Sequence, residues 1–164
     1  MDIQTYLTNI CQHSGLDASQ LEVTIDDQGE TIQATIKVPQ EESGLLIGFH
    51  GDTLSALQRL TRVVFQEELA EKRLIVNINE YREQRTERLQ QMAQNAAQQV
   101  LETGRPYHFN YLPSHERFVI HSTISEDSGF ADLQSASEGE GRDRVLVIRP
   151  KNANSPPKSD QVVA

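Results

Sequence analysis

A chain of 164 residues, 37% apolar and 5% aromatic, has room for one medium domain or two small ones, and no run approaches the roughly 18–20 apolar residues of a membrane span. Its one cysteine, Cys11, excludes an internal disulfide and a cysteine-based zinc site, and Met1-Asp2-Ile3-Gln4 lacks the basic flank and apolar core of a signal peptide, so cytoplasmic residence is expected. A net charge of −9 argues against a non-specific phosphate binder, which needs Lys and Arg.

In chain order, residues 2–13 predict a helix with Ile3, Leu7 and Ile10 on one side and Cys11 a packed thiol beside them. Leu21–Ile25 and Ile32–Val38 alternate as strands, with Asp27-Gln28-Gly29 as turn chemistry between them. Gly44-Leu45-Leu46-Ile47 then leads into Gly48-Phe49-His50-Gly51 and a helix whose apolar residues Leu54, Leu57, Leu60 and Val64 are predicted to form its buried stripe. Two glycines three apart allow a sharp turn and close backbone approach. The following helix N-terminus favours an anion such as a phosphate. Glu67, Glu68 and Glu71 read as a solvated acidic edge, and Leu74–Ile78 as a third strand. This order of elements, with its Gly-x-x-Gly loop, resembles a bacterial-type (type II) KH domain over residues 1–79. The resemblance implies that the loop clamps single-stranded nucleic acid across about four nucleotides. The two residues between the glycines commonly include a Lys or Arg; here they are Phe49 and His50, so help is expected from His50 protonation or from stacking on Phe49.

Charge is uneven along the chain. Residues 1–79 carry 5 Lys/Arg against 12 Asp/Glu, and residues 80–164 carry 10 against 12, which makes the second half the better electrostatic candidate for phosphate. Residues 80–103 predict a long helix stopped by Gly104 and Pro106, with Leu89, Met92, Ala93, Ala96 and Val100 on one face. Arg82 and Arg85 project into that sector, and no Glu stands three or four residues from Arg82, Arg85 or Arg88. Either these arginines cover a rim of the core, or they form a basic stripe for nucleic acid or a partner. Beyond them come a short extended run at Pro106–Phe109, a helix over Leu112–Ile124 and a strand pair at Phe130–Ala136 and Arg144–Ile148. Ser137-Glu138-Gly139-Glu140-Gly141 lies between those strands, and the tail from Pro150 is expected to be disordered.

Arg117-x-x-x-His121, in a helix opening Pro-x-x-x-Arg and followed by Ser-Glu-Gly-Glu-Gly, resembles the R-three-H domain, a single-stranded nucleic-acid binder. With the KH-like half, Tyr81-Arg82-x-x-Arg85 and Gly104-Arg105-Pro106, residues 1–149 are similar to the bacterial Jag (SpoIIIJ-associated, KhpB) family. Members often carry a further N-terminal Jag domain, whereas this chain starts at the KH-like unit. The resemblance implies an α+β protein: a KH domain (1–79), an R-three-H domain of helices on a three-stranded sheet (80–149) and a tail (150–164). It implies RNA contact through Gly48, Phe49, His50, Gly51, Arg117 and His121, a role in cell elongation and division, and a small KH-domain (KhpA-like) partner protein. Physically, Arg117 can fork onto phosphate oxygens and His121 can donate beside it. The competing reading pairs Arg117 with Glu138 or Glu140 and leaves His121 simply packed. Phe118 stands where relatives often place a second basic residue. His108, His115 and His121, seven and six apart, make no close metal-ligand pair, and no Walker loop, nucleophile elbow or Cys-x-x-Cys occurs. The expectation is therefore a non-enzymatic protein without metal or cofactor. RNA-binding regulator and protein–protein module remain the two readings.

Overall fold

The computed structural model describes residues 1–152, and its first element is set by a cap. The Asp2 carboxylate accepts from the Thr5 amide at 2.7 Å, starting α1 (Ile3–His13), which buries Ile3, Leu7 and Cys11. Strands β1 (Glu22–Asp27) and β2 (Thr31–Lys37) pair antiparallel, Val23 opposite Ile36. Their turn forms where the sequence places it: Asp27 accepts from the Gly29 amide at 3.1 Å, and Gly29 takes φ 79°. The chain then runs through α2 (Gln40–Ile47), α3 (Asp52–Val64) and the single turn α4 (Gln66–Leu69) before β3 (Arg73–Ile78) pairs parallel to β2. The sheet order is β1-β2-β3, and the helices bury Leu7, Leu54 and Leu69 together with Ile36, Val76 and Ile78 of the strands. At the end of β3 the Asn79 side chain brackets Val38, accepting from its amide at 3.1 Å and donating to its carbonyl at 2.8 Å.

The stripe on α3 is phased differently from its prediction. Leu54 and Leu57 are buried, but Leu60 and Val64 are exposed, and the buried row continues through Thr61 and Phe65. Thr61 is tolerated inside because its hydroxyl donates to the Leu57 carbonyl at 2.8 Å.

A second compact unit begins at Thr86, so the division falls inside α5 (Tyr81–Thr103). From there α5 buries Leu89, Ala93, Ala96, Ala97 and Val100, whereas Met92 is exposed, contrary to expectation. Gly104 stops the helix at φ 68°, its amide donating to the Val100 carbonyl at 2.8 Å. There follow β4 (Tyr107–His108), α6 (Ser114–Glu126), β5 (Leu133–Glu138) and β6 (Val145–Pro150), with sheet order β4-β6-β5 and both pairings antiparallel. Ile120 and Ile124 of α6 pack with Leu89 and Val100 of α5 and with Leu133, Leu146 and Ile148 of the sheet. The α+β class and both element orders are as read from the sequence.

Several boundaries differ: α6 starts at Ser114, not Leu112, and ends at Glu126. Phe130 belongs to a single 3-10 turn, Ser128–Phe130, because Asp127 accepts from the Gly129 amide at 2.8 Å; β5 therefore starts at Leu133. Ser137 and Glu138 extend β5 rather than the loop. Pro150 ends β6 opposite Leu133, and the Lys151 amide donates to the Asp132 carbonyl at 2.8 Å, so the tail starts later than expected. Residues 153–164, where most of that tail falls, lie outside the described residues.

Candidate nucleic-acid interface

In the first unit the Gly-x-x-Gly segment needs both glycines. Gly48 ends α2 at φ 72°, and a Cβ there would run into the Thr53 side chain. Gly51 caps α3 at φ 82°, and its absent Cβ leaves room for the Tyr81 ring, 3.2 Å from where that atom would sit. Between them His50 adopts φ 52° and ψ 23°, a left-handed conformation uncommon for a residue with a side chain. The amides of Gly48 and Asp52 donate within the turn, to the Gly44 and Phe49 carbonyls. The start of α3 has no side-chain cap, and Asp52 places a carboxylate in its first turn, close to where a phosphate would approach.

Phe49 is 69% exposed and meets the His50 ring edge-on, with centroids 4.2 Å apart. His50 Nδ1 lies 2.9 Å from an Arg85 guanidinium nitrogen. A guanidinium can only donate, so Nδ1 is the acceptor in this contact. A cation thus stands beside the glycines, contributed by α5. Arg82 has a different place: it donates to the Val76 carbonyl at 3.2 Å and to Gln58 at 2.9 Å, covering the rim of the core. Arg82 thus takes the place at the core rim that one reading of the pair gave it, while Arg85 reaches the Gly-x-x-Gly turn.

In the second unit Arg117 is only 9% exposed. Its guanidinium donates to the Leu112 carbonyl at 2.6 Å and to Ser114 Oγ at 3.0 Å, tying the entering chain to the first turn of α6. Glu138 pairs with Arg149 at 2.8 Å, which is not the partnership considered for Arg117. His121, half-buried one turn further along α6, lies 2.7 Å from Ser135 Oγ and 3.1 Å from Ser137 Oγ on β5. Burial, then Arg117 and Arg144 nearby, hold its pKa below the ordinary histidine value, which favours the neutral ring.

Arg144, just before β6, is exposed. Among the described residues it is an accessible cation beside His121, while Arg117 is an internal strut. The structure therefore gathers Gly48–Gly51 with Arg85 in one unit, and Arg117 and His121 with Arg144 in the other. The sequence signal for Arg85 was its lack of an intrahelical acid. For Ser135 it was only the alternation of β5, and for Arg144 there was none. Phe118 is 69% exposed on α6. Among the described residues no helix is long and apolar enough to cross a membrane.

Comparison with known proteins supplies the context. Residues 3–78 match the family model described as KhpA/KhpB, KH domain, and residues 87–150 match the R-three-H domain model. The protein called RNA-binding protein KhpB from Bacillus subtilis is 36% identical over 137 residues, 82% of this chain and 64% of that protein. Its namesake from Streptococcus pneumoniae serotype 2 is 31% identical over 150 residues, 90% of this chain and 45% of its own. That of Lactiplantibacillus plantarum is 30% identical over 149 residues, 88% of this chain and 45% of its own. The chain thus spans between 45% and 64% of the length of these curated relatives.

Proposed function

The chain belongs to the KhpB family, joining a KhpA/KhpB-type KH domain to an R-three-H domain, and from that premise we propose that it binds single-stranded RNA without catalysing a reaction on it. Two patches share the work. The Gly48–Gly51 loop receives one stretch of backbone, with Arg85 attracting phosphate and Phe49 offering a face for a base. Arg144 and His121 receive another, on a surface whose shape Arg117 maintains. The relatives' name as RNA-binding proteins supports this reading, and the observation that carries it is Arg85, 2.9 Å from His50, bringing a cation to a loop that has no Lys or Arg of its own. In this reading the protein is a cytoplasmic post-transcriptional regulator linked to cell elongation and division.

The test is fluorescence anisotropy with a labelled mixed-sequence single-stranded RNA, titrated from low to moderate salt. Loss of one phosphate contact reduces the slope of log affinity against log salt by about 0.7 for a single strand. Arg85→Ala and Arg144→Ala are each expected to show that reduction, and the pair of substitutions Phe49→Asp and His50→Asp to abolish loop binding. A wild-type protein that fails to bind at low salt sinks the proposal.

A second reading has its own observation. On α3, Leu60, Val63 and Val64 are 56%, 62% and 53% exposed and lie on one side of the helix. Such a patch suits a protein partner, and the companion in this reading is a small KH-domain protein of the KhpA type.

A further inference from the structure

Between α5 and α6 of the second unit lies an open groove of about 740 Å³ that neither arginine patch uses. Thr86, Gln90 and Gln94 line one wall at four-residue intervals, and Phe118, Ser122 and Glu126 line the other at the same interval. Residues four apart share a helix face, so each wall is a straight row. The lining holds amides, hydroxyls and one exposed aromatic ring. Among the described residues it holds no Lys or Arg, and its far end carries the carboxylates of Glu126 and Asp127.

That chemistry is wrong for a phosphate and right for a base. A phosphate entering the groove meets two carboxylates and no cation among the described residues. A nucleobase meets an aromatic face to stack on, amides that both donate and accept, and a carboxylate able to accept from an exocyclic amino group. Asp127 Oδ1 already accepts from the Gly129 amide, so Glu126 is the better-placed acceptor. Phe118 and Glu126 are eight residues apart on α6, about 12 Å along the axis, so one base can stack on the ring while a neighbour reaches the carboxylate.

We propose that the groove between α5 and α6 is a nucleobase subsite for single-stranded RNA, in which Phe118 stacks on one base and Glu126 selects an adjacent base bearing an amino group. The proposal rests on the RNA-binding reading and adds a specificity element to it. It also gives a role to Phe118, a large apolar ring that α6 leaves in solvent beside its buried Arg117. Stacking in place of charge trades salt-dependent grip for base contact.

The chain contains no tryptophan, so Phe118→Trp installs a single indole in the groove. The full chain carrying it is titrated with oligo(A), oligo(C) and oligo(U) of about 12 nucleotides, within the span of a single-strand site, while indole emission is followed and anisotropy is read in parallel. Quenching that tracks binding is expected. Phe118→Ala should weaken binding roughly tenfold, within the range for loss of one base stack, with the salt slope unchanged. Phe118→Tyr should retain affinity. Glu126→Gln should erase the preference for adenine and cytosine over uracil. If the wild type binds RNA but Phe118→Ala binds equally well and the indole is silent, the groove is not a base site, though the RNA reading stands. If the wild type binds none of the oligomers, the RNA reading falls, and this proposal falls with it.

Discussion

Arg117 and His121 carry the motif that is easiest to see in the second half, yet both side chains are turned inward. Arg117 satisfies the Leu112 carbonyl from a site that is 9% exposed. Removing it leaves that acceptor without its charged donor, so Arg117→Ala should cost about 2–3 kcal/mol of stability in urea denaturation. Arg117→Lys should recover only part of this, since an ammonium cannot reproduce the two-pronged contact. An arginine serving phosphate alone would leave the urea midpoint unmoved. His121 adds a pH dependence whose sign is fixed by its lowered pKa. The folded state favours the neutral ring, so the contribution is complete above the unfolded histidine value and drains away as pH falls through the folded one. The melting temperature of the wild type should therefore drop more steeply between neutral pH and about pH 5 than that of His121→Gln. The motif itself was legible as four-residue spacing. That its arginine is a strut was not, because the Leu112 carbonyl is a backbone atom and leaves no mark in side-chain pattern.

Among elements, α3 shows how a correct helix can carry a wrong face. Leu54, Leu57, Leu60 and Val64 satisfy a helical spacing, and so do Leu54, Leu57, Thr61 and Phe65; only the second row is buried. Apolar character favours the first row, and nothing local announces that a threonine hydroxyl will bond its own helix. Substitution separates the rows. Leu57→Ala should cost about 2–4 kcal/mol by opening a cavity. Leu60→Asp with Val63→Asp should shift stability by no more than about 0.5 kcal/mol per site, while abolishing any association through this face in light scattering or in pull-down with a KH partner. Loss of folding in the double variant would mean that the exposed face is part of the core after all. The β strands were easier. Alternation fixes which residues of β2 face inward, and the only substantial error, at Phe130, came from an aspartate-capped turn that delays the start of β5 to Leu133.

For the molecule as a whole, the order of elements in both units was readable because each local signal agreed with the next: cap, alternation, glycine punctuation, helix stop. Partners distant in sequence were not. His50 and Arg85 stand 35 positions apart, and His121 and Ser135 stand 14 apart. Those pairings decide where the accessible charge lies. The net charge of −9 remains the dominant long-range term, so attraction for RNA has to come from a few placed arginines rather than from the general field. A short list of such contacts gives a shallow salt slope, and each arginine removed should be visible as a step in it.

The fully buried Cys11 has a use that has nothing to do with chemistry in the cell. It is the only thiol in the chain, it lies on the buried face of α1, and burial pushes its pKa up to about 11. A thiol-reactive dye can therefore attack only during the moments when the first unit opens, and the labelling rate becomes a clock for that opening. The second unit contributes no signal to this clock. Labelling in the presence of excess single-stranded RNA should slow according to how tightly the RNA binds the folded first unit, which measures ligand binding to this half of the protein in units of waiting time.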